Sequence, residues 1–200
     1  MADNMGVMLT LLRRSAAILI LLPILTTAGL AEPLRYRLDP EQTLLSFVWS
    51  FGPDEVTGVL PSGAADIVID FQNQRNSRVT AELDLRGARA GFPFATQAML
   101  GPRVLDAEAH PVARFESTRV RQSGTSAEIE GNLTLRGVTQ PVVWQAELFR
   151  QAGAEVGDLS QIAIRMTGTV DRHAFGASGW PDDVGPEVTF VVEAYLEQVQ

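Results

Sequence analysis

The chain has no cysteine, no lysine and only two histidines among its 200 residues. Without cysteine there can be no disulfide, no thiolate metal site, no thiol nucleophile and no lipid-modified N-terminal cysteine. The histidines, His110 and His173, stand about 60 residues apart, each beside a turn signal. A nucleophilic triad needs a hydroxyl, an imidazole and an acid to converge, and no Gly-x-Ser-x-Gly elbow is present. A metal site would need both histidines plus Asp106 or Asp171, whereas His110 before Pro111 reads first as a turn residue. We therefore expect a non-enzyme with no metal and no cofactor. With lysine absent, all 16 basic side chains are arginine. Genomic composition bias accounts for that set better than a general role in anion recognition.

Long uncharged runs are also scarce. The exception follows Arg13 and Arg14: residues 15–31 carry no charge, have an apolar centre from Ala16 to Leu25, and end in Thr27-Ala28-Gly29-Leu30-Ala31 before Glu32. A basic start, a short apolar centre and a small-residue end describe a secretory signal peptide. The run falls short of the ~20 apolar residues of a membrane span, and Pro23 interrupts it. We read residues 1–31 as the signal, cleaved after Ala31 on an ordinary export route, and residues 32–200 as one exported domain. That domain keeps 14 arginines against 23 carboxylates, a net charge of −9. Such a surface repels nucleic acid and anionic headgroups, so neither nucleic-acid binding nor stable membrane insertion is expected.

What the chain has in abundance is alternation. In Val79-Thr80-Ala81-Glu82-Leu83-Asp84-Leu85 every odd residue is apolar and every even one polar, the mark of a strand with one greasy face. Similar runs cover residues 43–51, 55–60, 64–71, 112–120, 127–135, 140–149, 161–170 and 187–197, nine in all. Most connections are of hairpin length, which predicts antiparallel pairing. Two are long. Residues 87–110 contain a helical turn or two at 95–100 and a second short helix at 103–107, placed to lie across a barrel mouth. Residues 171–186 are glycine-rich yet carry Phe175 and Trp180, whose exposure is costly unless they close over an apolar interior.

About eight such strands close into an all-β, lipocalin-like antiparallel barrel, which removes sheet edges. A barrel of this size either fills with side chains or holds one slender ligand. Ala65, Ala81, Ala127, Gly131, Ala146, Gly168 and Ala194 fall on inward faces. Small residues there leave space, unless they only accommodate the barrel's taper.

Five stretches carry a family likeness: Tyr36-Arg37-Leu38-Asp39-Pro40 leading to Leu45-Ser46-Phe47; Gly58 with Gly63 and Asp70; Leu105-Asp106 with His110 to Phe115; Gly131 to Val142; and Arg172-His173-Ala174-Phe175-Gly176. In this order the chain resembles the YceI-like, lipid- or polyisoprenoid-binding proteins of bacteria. The resemblance implies an extended lipocalin-like barrel, an exported location, which we expect to be the periplasm, and a long isoprenoid chain in an apolar tunnel. Thr96-Gln97-Ala98-Met99-Leu100 departs from it, lacking the charged and histidine residues often found before the family's short helix.

On this reading the partner is an isoprenoid lipid or quinone. The candidate ligand-binding residues are Phe47, Trp49, Phe51, Phe92, Phe94, Met99, Leu100, Phe115, Trp144, Arg172, Phe175 and Trp180. Arg172 lies where a strand meets the aromatic-bearing loop. It either pairs with Asp171, Asp182 or Asp183, or offers its guanidinium fork to a quinone carbonyl or phosphate oxygen. The rival functions are a stress-related barrel with a filled interior and an enzyme acting on a lipid-like substrate. An outward apolar set could also support a homodimer.

Overall fold

The nine alternating segments and two shorter ones form the eleven strands of one antiparallel sheet in the computed structural model, which describes residues 32–199 apart from 151, 152, 154 and 156. The signal peptide expected at residues 1–31 lies outside the described residues. The strands are β1 (Leu34–Leu38), β2 (Leu44–Phe51), β3 (Asp54–Leu60), β4 (Ala64–Ile69), β5 (Arg78–Asp84), β6 (Arg89–Ala90), β7 (Val112–Ser123), β8 (Ser126–Leu135), β9 (Val138–Arg150), β10 (Gln161–Asp171) and β11 (Val184–Gln198). Eight of them close a ring in the order β1-β4-β5-β7-β8-β9-β10-β11, and β11 returns to β1.

Closure depends on the length of β11. Its last residues pair with β1, as Leu196 opposite Leu38, while Val184 to Glu193 pair with β2. Two strands thus share one edge of β11, and the sheet forks there. The β1 branch closes the barrel through β4; the β2 branch continues to β3 and the two-residue β6. The single α-helix among the described residues, α1 (Pro93–Leu100), follows β6 and starts with proline, whose fixed φ suits a first helical turn.

The nine strands read from the sequence are all present, most within two residues of their expected ends; β11 begins three residues early. Two strands were not read from alternation, β1 and β6, because five and two residues are too short to show it. Strand β4 stops at Ile69 rather than Phe71. Asp70, buried, accepts hydrogen bonds from the Gln72 and Asn73 amides and from Asn76 Nδ2, which bends the chain. The short helix expected at 103–107 is instead a run of turns in which Asp106 adopts φ +48°. Strand β7 carries a bulge: the register steps from Ser117 opposite Gly131 to Arg119 opposite Glu130. Thr118 is the extra residue, so inward positions change parity beyond it. Ser117 turns the bulge to use by accepting from the Val79 amide through its Oγ.

The outer face explains much of the arginine set. Arg35–Asp66, Arg37–Glu197, Arg114–Glu82 and Arg121–Glu128 pair across neighbouring strands, with every side chain at least 38% exposed. Exposed pairs of this kind contribute at most about 1 kcal/mol each.

Candidate functional site

Inward-facing residues of β2, β3, β4, β5 and β11 enclose a cavity of about 710 Å³, with Ala95, Ala98 and Met99 of α1 covering one side. This lies within the roughly 300–1,000 Å³ typical of small-molecule clefts. Its walls are aliphatic and aromatic. The polar side chains on them are Thr43, Ser62, Arg172 and Asp183, and the Ser62 hydroxyl is spent on the Pro40 carbonyl.

Phe115, Leu133, Trp144, Met166 and Val170 complete the wall from β7 to β10, and the small inward residues divide into two groups. Ala65, Ala81 and Ala194 line the cavity. Ala65 and Ala81 are direct cross-strand partners, and Phe115 is the next residue along that row. Gly131 and Gly168 do not leave space. A Cβ at Gly131 would stand 2.4 Å from the Phe115 ring, and one at Gly168 would stand 2.3 Å from the Trp144 ring. These glycines let large rings settle against the sheet, where Phe115, Trp144, Val170 and Phe175 pack with Ala146 in one apolar cluster, and Phe115, Trp144 and Val170 of it also face the cavity. Trp144 is 6% exposed and its Nε1 has no hydrogen-bond partner. The rings of Phe115 and Phe190 stand nearly perpendicular to it, centroids 6.1 and 5.9 Å away, and an aromatic face is only a weak acceptor.

At one opening the cavity is rimmed by exposed aromatics. Phe94 is 72% exposed, Phe51 and Phe92 47% each, and Trp180 36%. Three chain segments bring them together: the end of β2, the start of α1 and the loop before β11. Trp180 adopts φ +49°, unusual for a bulky residue, and Arg103 sits over its ring at 5.9 Å.

Arg172 organises that loop. It is 5% exposed, and its guanidinium donates to four main-chain carbonyls: Gly185 (2.8 Å), Ala177, Gly179 (2.9 Å) and Val184 (2.7 Å). Burial pushes its pKa below the ordinary arginine range, with nearby Asp171 opposing the shift. The sequence offered carboxylate pairing or a ligand oxygen; the structure spends these donors on backbone instead. Carbonyls left buried by the tight 177–185 loop need donors, and the guanidinium supplies them.

A second arginine ties down the helix-bearing segment. Arg136, at φ +54° in the β8–β9 turn, donates to the Pro102 and Val104 carbonyls at 2.9 and 2.6 Å. The two-residue turn Arg136-Gly137 between β8 and β9 thus also clamps residues 101–107.

Of the twelve candidate residues, Phe47, Trp49, Met99, Phe115 and Trp144 stand on the cavity wall. Phe51, Phe92, Phe94 and Trp180 stand at the rim, and Arg172 borders the cavity with its donors engaged. Leu100 and Phe175 do not reach it. Leu100 packs against the core around Leu45 and Met99, and Phe175, 1% exposed, ends the short 3-10 helix Arg172–Phe175 and is buried in the cluster around Trp144. The candidate set omitted the aliphatic wall, including Leu45, Val79, Leu83 and Val192, as well as Phe190. Inward strand parity was the signal that identifies them. Neither histidine lines the cavity. Among the described residues no group of three or more His, Asp or Glu side chains is gathered in a way that could hold a metal.

Residues 36–196 match the YceI-like domain family. Curated relatives include a UPF0312 protein of Pseudomonas aeruginosa, 30% identical over 70% of this chain and 75% of its own length. Another is a UPF0312 protein of Pectobacterium atrosepticum, 25% identical over 88% of this chain and 91% of its own. Among solved structures, Burkholderia cenocepacia BcnA superimposes with a TM-score of 0.71 at 18% identity, covering 79% of this chain and 98% of its own. A polyisoprenoid binding domain from Saccharophagus degradans, implicated in plant cell wall breakdown, superimposes with a TM-score of 0.61 at 14% identity, covering 83% and 99%. At these identities the structural likeness is one of fold.

Proposed function

This chain belongs to the YceI-like domain family, and we propose that it is an exported carrier holding the apolar chain of an isoprenoid lipid in its barrel cavity. The observation that carries the proposal is the space itself, about 710 Å³ bounded by apolar side chains. Transfer of apolar surface into such a space is worth roughly 25 cal/mol per Å², so several isoprene units bind tightly without a polar anchor. Ordering a flexible chain takes back part of that gain. The description of the Saccharophagus degradans domain as polyisoprenoid binding supports the same ligand class.

A neutral, quinone-type headgroup suits the site better than a diphosphate. The arginine bordering the cavity already donates to four carbonyls, and Asp183 places a carboxylate on the same wall. An anionic headgroup would meet repulsion with little cation to offset it. The leader read at residues 1–31 supports a periplasmic location. Carriage, rather than catalysis, is favoured because the cavity wall offers no imidazole or thiol to activate a nucleophile. Organic extraction of the purified protein followed by mass spectrometry tests the proposal. Recovery of an isoprenoid lipid supports it, and repeated recovery of none overturns it.

A further inference from the structure

Phe51, Phe92, Phe94 and Trp180 form an apolar collar around an opening of the cavity, contributed by three separate segments and 36–72% exposed. Exposed aromatics gathered from different segments in this way mark an interaction surface. Three features identify what covers it.

The first is continuity: the same side chains that face outward also border the cavity, so whatever seats on the collar meets the cavity's contents directly. Resting on the carrier reading, this means the covering surface must itself accept a long apolar chain, which water cannot. The second is charge. Asp54 and Glu55 begin β3 directly behind Phe51, and Asp182 and Asp183 follow Trp180, all four exposed. Against them stands Arg103, already stacked on Trp180. This distribution repels anionic lipid, so docking has to come from aromatic insertion into an uncharged surface. The third is the form of the side chains. Phenylalanine with a tryptophan that carries a polar partner is the composition that settles at the boundary of a bilayer.

We infer that the collar docks reversibly on a zwitterionic lipid surface, bringing the cavity mouth against the bilayer for cargo exchange. Among the described residues no helix is long and apolar enough to cross a membrane. Four side chains without an amphipathic helix give a shallow, weak hold of the kind a shuttling carrier needs.

Flotation of the purified protein with vesicles of phosphatidylcholine alone, and with vesicles rich in phosphatidylglycerol, tests this. Wild type is expected to float with phosphatidylcholine vesicles and to bind the anionic ones less. Phe94→Asp is expected to lower the bound fraction about tenfold, by placing a charge where a phenyl ring inserts. Phe149→Asp, on the outer wall of β9 and 47% exposed, is expected to leave it unchanged. Glu55→Arg combined with Asp182→Arg is expected to add binding to the anionic vesicles. The inference is overturned if Phe94→Asp and Phe149→Asp behave alike. It is also overturned if wild type stays off both vesicles while extraction still recovers an isoprenoid, or if the collar instead holds two copies together in a dimer that Phe94→Asp dissociates. Vesicle binding without any extractable isoprenoid would instead strike at the carrier reading.

Discussion

Trp144 occupies the space that a side chain at position 168 would need: a Cβ on Gly168 would stand 2.3 Å from Trp144 Cε3. Phe115 over Gly131 and Phe47 over Gly58 repeat the arrangement, at 2.4 and 2.3 Å. Each glycine lies on a strand beside its aromatic, so a bare backbone stretch becomes a shelf for a ring. The shelves let three large rings lie close to the sheet while the neighbouring alanines leave the cavity open. Gly168→Ala should therefore force the indole outward and destabilise the protein by about 1–3 kcal/mol, the usual range for overpacking. Urea unfolding checks this, and unchanged stability would show that the ring has room to move.

Arg172→Lys should be strongly destabilising although the charge is kept. An ammonium cannot reach four divergent carbonyls, and those of Ala177, Gly179, Val184 and Gly185 would lose their donor. Leaving two or more buried carbonyls unpaired costs about 3 kcal/mol or more. Equal urea midpoints for Arg172→Lys and wild type would contradict this account of the loop.

Tyr36 makes stability fall at high pH. It is 1% exposed, donates to the Leu159 carbonyl at 2.9 Å, and burial pushes its pKa from 10.0 up to about 12. Above pH 10 the unfolded chain releases the phenolic proton while the folded chain keeps it. The contribution is therefore complete below pH 10 and is lost progressively as pH rises to 12. Tyr36→Phe should remove that loss between pH 9 and 11.5 in urea unfolding, at the expense of about 1 kcal/mol for the missing hydrogen bond.

Arg136→Gly should separate clamp from turn. Glycine accepts the φ +54° of position 136 more readily than arginine does, so the hairpin persists, but the bonds to Pro102 and Val104 disappear. Hydrogen exchange of the residue 101–107 amides should accelerate about tenfold while global stability changes little.

Much of this fold was legible because alternation survives wherever a strand has one wet face. It showed β2 to β5 and β7 to β11, and it placed Ala65 and Ala81 inward. It could not show β1 or β6, which are too short, or the bulge at Thr118, where the register alone changes. The cavity was half legible. Aromatics on strands, such as Phe47 and Trp144, could be placed from parity, but Leu100 and Phe175 could not, because loop residues have no period. Gly131 and Gly168 misled for a clear reason: a missing side chain signals space only if no neighbour leans into it. The role of Arg172 escaped because its partners are backbone carbonyls, which every sequence has.

The central claim is that the space beside Ala81 holds a lipid chain, and filling that space tests it. Ala81→Phe projects a ring into the cavity from the middle of β5, between Ala65 and Phe115. Titration of wild type and variant with a fluorescent isoprenoid probe, alongside their thermal unfolding, is the decisive measurement. We predict saturable binding by wild type and a loss of about tenfold or more in Ala81→Phe, with the fold and melting temperature retained. Equal affinity in the two proteins would contradict the account.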